Sequence, residues 1–129
     1  MTLTEFLAAR LDEVKATAAA ATHGGNGRWV LQGHPSESAM IWDSNGSAVV
    51  YNEGSPSEAE AAHIVLHDPA HVLREVEAGR KLLAASQKAV READFPDWHG
   101  GYASGLEDAV KYRAEVYDSH PDWDEAWRP

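Results

Sequence analysis

Apolar residues recur along this chain first with helical and then with strand spacing. Leu3, Phe6, Leu7, Leu11, Val14 and Ala18 fall on one side of a 3.6-residue period and predict an amphipathic helix over 3–21. Thr2 and Glu5 stand three apart, the spacing of a capping box. The "HGGNG" at 23–27 ends that helix, because each glycine costs about 1 kcal/mol in a helix interior. Three short apolar segments follow and predict strands: "RWVLQ" (28–32), "AMIWD" (39–43) and "SAVVYN" (47–52). Asn45-Gly46 stands between the last two, where a tight hairpin needs positive φ. Alternation places Trp29 and Leu31 on one face, and Met40 and Trp42 on one face of the next strand, as core anchors.

The helical period then returns. Ser55 suits an N-cap, Pro56 the first helical position and Glu58 the capping box of a helix reaching about His67. Asp68-Pro69 repeats the start signal, because aspartate caps, proline at N1 needs no N–H, and the residue before proline avoids αR. One helix therefore ends near His67 and another runs from Pro69 to about Ala93. Val72, Leu73, Val76, Leu83 and Val90 face inward there, with Glu77 and Lys81 paired outside and Gly79 a weak point. Residues 94–105 read as a loop. Ser104 and Glu107 cap a further helix to about Asp118, with Leu106, Val110 and Tyr117 on one side. Pro121 starts a last turn that puts Trp123 and Trp127 on one face. The expected fold is one α+β domain over 1–129: an N-terminal helix, a three-stranded antiparallel sheet, a two-helix unit broken at Asp68-Pro69, and a C-terminal helix. A chain of 129 residues can bury one core without staples.

Composition narrows the chemistry. The chain has no cysteine, which removes disulfides, thiol catalysis and thiolate-held zinc and suits a reducing cytoplasm. The first turns are acidic and lack a signal-peptide apolar region, and no apolar run approaches the ~20 residues that span a bilayer. Net charge is −10, and residues 92–129 carry −7 of it, ten acids against three bases. That field repels phosphate backbones, so no direct nucleic-acid binding is expected; it favours solubility or a basic protein partner.

The candidate ligands for a metal are His63, His67 and His120. His63 and His67 have the i,i+4 spacing that offers two imidazoles from one helix face, although Ile64, Val65 and Leu66 stand where an H-E-x-x-H motif needs its glutamate. A third donor would come from Asp68, His71, His99 or His120. The break at Asp68-Pro69 predicts that His71 leaves the row. The competing reading is that His63 packs at a helix seam and His67 satisfies carbonyls at a helix end. The expectation is no bound metal and no other cofactor. Glu107/Asp108 and Asp122/Asp124/Glu125 read as solvated faces, the serines lack a nucleophile setting, and the glycine-rich loop lacks a lysine partner, so no catalytic residue is assigned. Trp123 and Trp127 either dock the terminus on its own core or, with Asp122, Asp124 and Glu125 around them, anchor a protein partner.

"FLAARLDE" (6–13), "GRW" (27–29), "EAAHIVLHDPAHVLREVEAGRKLL" (60–83) and "YDSHPDWDEAWRP" (117–129) appear in that order. On these segments the chain resembles a family of short actinobacterial and actinophage-borne proteins of unknown function, and more distantly small accessory proteins of lambda-like phages. The resemblance covers most of the chain, implies a phage or mobile-element setting and supplies no activity. Many relatives carry a cysteine cluster between the last two helices, as if for zinc; here that region is "FPDWHGGYASG". The expected function is a non-catalytic accessory protein that binds another protein. The alternatives are a small metal-binding protein or metal-dependent enzyme using His63 and His67, and an acidic mimic of nucleic acid that blocks a DNA-binding factor.

Overall fold

The computed structural model describes residues 1–32, 40–51, 56–93 and 98–129, the side chains of Trp98 and His99 excepted. The elements are α1 (Leu3–Ala21), β1 (Val30–Gln32), β2 (Met40–Trp42), β3 (Ala48–Val50), α2 (Glu58–Leu66), α3 (Pro69–Glu92) and α4 (Trp98–Ala114), then two 3-10 turns, Glu115–Tyr117 and Glu125–Trp127. This is the expected α+β order. The chain forms two compact units: Met1–Glu13 with Val76–Pro129, and Val14–Glu75.

In the Val14–Glu75 unit the strands form an antiparallel sheet of order β1-β2-β3. Its register pairs Leu31 with Ile41 and Ile41 with Val50. Ile41 is fully buried and packs with Ala61 of α2, flanked by Trp29, Leu31, Val50, Ile64 and Val65. The inward residue of β2 is therefore Ile41, and the expected anchors Met40 and Trp42 lie half-buried on the other face. Which face a three-residue strand buries is decided by the helix laid on it, and α2 covers the Leu31–Ile41–Val50 side. The β2–β3 turn is held by Asp43, whose Oδ1 accepts the N–H groups of Asn45 (2.9 Å) and Ser47 (2.8 Å). Gly46 takes φ +79°.

The helix break stands where the sequence places it. The expected Ser55 cap lies outside the described residues. The box that forms is Ser57 with Glu60, each side chain bonding the other's backbone N–H (3.1 and 2.9 Å). The Asp68 carboxylate then serves two elements at once. Oδ1 accepts the His71 N–H at 2.8 Å, capping α3, and Oδ2 accepts the Trp29 N–H at 3.1 Å, at the entry to β1. The Ala70 N–H donates to the Gly27 carbonyl at 3.0 Å. Gly27 sits at φ +75°, and a Cβ there would stand 2.9 Å from the Ala70 nitrogen, so only glycine lets the strand entry approach the α3 terminus this closely.

In the other unit Phe6, Leu7 and Leu11 are fully buried, and Val76, Leu83, Ala103, Val110 and Ala114 are buried as well. Gly79 has a packing reason: its position faces the Leu11 methyls, which a Cβ would meet at 3.0 Å. Val90, expected inward, is 45% exposed and borders a cleft of about 590 Å³ shared with Leu3, Ser86, Lys111 and Trp127. Helix α4 starts at Trp98, not at Ser104, and ends at Ala114 before the 3-10 turn. Burial of Ala103 holds the helical path through a glycine-rich stretch that local propensity assigns to a loop.

Candidate functional site

The three histidines of the central segment stay together. His63 stands in the last turn of α2, His67 is its C-cap residue, and His71 lies in the first turn of α3. The His63 and His67 ring centroids are 4.5 Å apart, and those of His67 and His71 5.8 Å. The rings stay neighbours across the helix break, but His71 stands farther from His67 than His63 does. The break is short: the His67 N–H still bonds the His63 and Ile64 carbonyls, and α3 starts two residues later, so the pitch of the row survives the change of helix. His67 Nδ1 lies 2.9 Å from the His63 carbonyl oxygen. His71 Nε2 lies 3.3 Å from Glu75 Oε1. His63 and His67 are exposed and His71 half-buried. Among the described residues no three His, Asp or Glu side chains converge as a metal-holding group.

His120, the third candidate ligand, belongs to the other unit and has structural neighbours. Its ring meets Phe6 edge-on at 5.7 Å, Arg10 Nη1 lies 2.6 Å from Nδ1, and the Asp122 N–H approaches that nitrogen at 3.1 Å. Arg10 is 5% exposed, with its guanidinium 5.0 Å from the Phe6 ring centre and ion pairs to Glu13 (2.8 Å) and Asp122 (3.8 Å). Sequence reasoning passed over Arg10. The available signal is its place on the apolar side of α1, beside Phe6 and one turn before Val14.

Trp123 and Trp127 pack on Phe6, at centroid separations of 5.7 and 5.1 Å, and on each other at 5.6 Å. Both are half-buried. The acids around them are partly engaged: Asp124 caps the last 3-10 turn through the Ala126 N–H, and Glu125 pairs with Arg128 at 2.8 Å. Arg128 also reaches Glu115 (3.3 Å) and Asp118 (3.4 Å). The Arg128 guanidinium holds the Glu125 carboxyl below the usual carboxylate range, and Glu125 in turn raises Arg128 above an ordinary arginine.

Among the described residues the large exposed apolar side chains of this unit, besides Met1 and Val90, lie on α4 and the turn after it. Tyr102, Tyr112 and Val116 are 52%, 61% and 65% exposed. With Gly105 and Ala109 they follow the 3-4-3-4 spacing of one helix face, a pattern already present in the sequence. Asp108 and Glu115 flank this face, and Arg113 packs over Tyr117.

No helix among the described residues is long and apolar enough to cross a membrane. No curated protein and no solved structure matches the chain. A family model described as a family of unknown function (DUF6221) matches residues 1–129, and the protein belongs to that family.

Proposed function

We propose that the protein is a non-catalytic accessory protein, of phage or prophage type, that binds another protein through the exposed face of α4. The observation that carries this reading is the Tyr102–Tyr112–Val116 stripe. Tyr112 of α4 and Val116 of the turn after it, both more than half exposed and one helical turn apart, are a burden to a water-facing surface unless something covers them. Tyrosine is favoured where a partner docks, because its ring brings area and its hydroxyl stays wet. The flanking acid Asp108, in a segment carrying −7, favours a partner segment that is apolar and basic. Trp123 and Trp127 instead dock the terminus on Phe6.

The test is capture from host lysate on the immobilised full chain, with partners identified by mass spectrometry. Tyr112→Glu with Val116→Glu should remove the captured protein while circular dichroism stays unchanged. Added salt should slow its association with the wild-type chain. Equal capture by the double variant would place binding elsewhere and end this reading.

A further inference from the structure

The histidine row of the Val14–Glu75 unit is independent of the α4 face and has its own chemistry. Two imidazoles that share one metal at N–M distances of about 2.0–2.1 Å, with an N–M–N angle between square and tetrahedral, have ring centres about 4.5–5.2 Å apart. The His63 and His67 rings are 4.5 Å apart, before any ion is added. The second feature is the tautomer. His67 Nδ1 faces the His63 carbonyl at 2.9 Å, and a carbonyl only accepts, so Nδ1 carries the hydrogen and Nε2 the free lone pair. Metal-ligating histidines characteristically donate their other ring N–H to a backbone carbonyl or carboxylate, which fixes the ring and raises its basicity. The His63 ring makes no hydrogen bond among the described residues, and both rings are exposed. His71 stands 5.8 Å from His67, outside the shared-ligand range, with Nε2 directed at Glu75.

We propose that His63 and His67 form a two-imidazole seat for a borderline divalent transition ion, Cu²⁺, Ni²⁺ or Zn²⁺, with the remaining coordination positions open to water. Nitrogen-only donors select these ions over Mg²⁺ and Ca²⁺, which require oxygen. The end of α2 contributes to the seat: the His63 carbonyl accepts the His67 backbone N–H at 3.3 Å and also faces the His67 ring Nδ1 at 2.9 Å, which orients that ring.

The experiment titrates tag-free full chain with Ni²⁺ and Zn²⁺ by calorimetry, with Mg²⁺ as the control for the 21 acidic residues. One equivalent of Ni²⁺ or Zn²⁺ should bind and Mg²⁺ should not compete. His63→Ala and His67→Ala should each weaken binding at least tenfold, and His71→Ala less than threefold. Both mutated positions are exposed, so the variants should fold, and circular dichroism checks this. Long-range ¹H–¹⁵N spectra of the rings should show metal-induced shifts at His67 Nε2 with Nδ1–H retained. Absence of a stoichiometric transition, binding unchanged in the His63→Ala/His67→Ala double variant, or equal competition by Mg²⁺ would overturn the seat. An equal loss in His71→Ala would overturn its two-imidazole form.

Discussion

Removing the Asp68 carboxylate should cost more than the loss of a helix cap. As an N-cap it accepts the His71 N–H at 2.8 Å, and replacing such a cap with alanine costs about 1 kcal/mol. Its second oxygen accepts the half-buried Trp29 N–H at 3.1 Å. Leaving that donor without a partner adds about 1–3 kcal/mol. Asp68→Ala should therefore destabilise the Val14–Glu75 unit by about 2–4 kcal/mol, the sum of the two terms. Asp68→Asn retains one acceptor oxygen and should lie between wild type and alanine. Urea unfolding monitored by tryptophan fluorescence gives the total, and native-state amide exchange at Trp29 and His71 resolves the parts. In Asp68→Ala both amides should lose protection. In Asp68→Asn one of the two should keep it. If Asp68→Ala costs less than about 0.5 kcal/mol and leaves the Trp29 amide as protected as in wild type, the double role of this carboxylate is refuted.

Two further outcomes follow from the packing and the caps. Trp127→Ala should lower stability by about 3 kcal/mol, the low end for a core aromatic, because the ring packs on Phe6 and Trp123 but is half-exposed; an unchanged melting temperature would detach the terminus from the core. Glu5 and Glu60 have their pKa values lowered from 4.5 by the backbone N–H, then the hydroxyl, of Thr2 and Ser57. A depressed folded pKa gives stability that is present above the unfolded value and lost as pH falls through the folded one. Stability should therefore decline below about pH 4.5, and Glu5→Gln with Glu60→Gln should flatten that decline, measured as the melting temperature against pH.

Much of the fold was legible from local pattern. The capping box of α1, the glycine stop at 23–27, the Asn45-Gly46 hairpin and the helix break at Asp68-Pro69 all rest on bonds and dihedral preferences spanning three or four residues. Such features are settled before anything distant packs. The α2 cap shows the limit of that reading: Ser55 and Ser57 each stand three residues ahead of a glutamate, Glu58 and Glu60, and spacing alone does not distinguish them, whereas the Ser57–Glu60 box is bonded in both directions.

The candidate sites were decided by contacts between residues distant in sequence. Ile41, not Met40 or Trp42, faces the core because α2 lies on that side of the sheet, and a strand's two faces are equivalent until something covers one. Trp123 and Trp127 are held by Phe6, more than a hundred residues away, and Arg10 meets His120 across the same distance. The histidine row was visible as a spacing, but the sequence implied its interruption. A proline-capped start interrupts the helical hydrogen bonds; whether the side chains stay in register depends on how the second helix is docked. Here the Asp68 bond to Trp29 and the Ala70 bond to Gly27 fix that docking, and three imidazoles separated by a helix break remain neighbours.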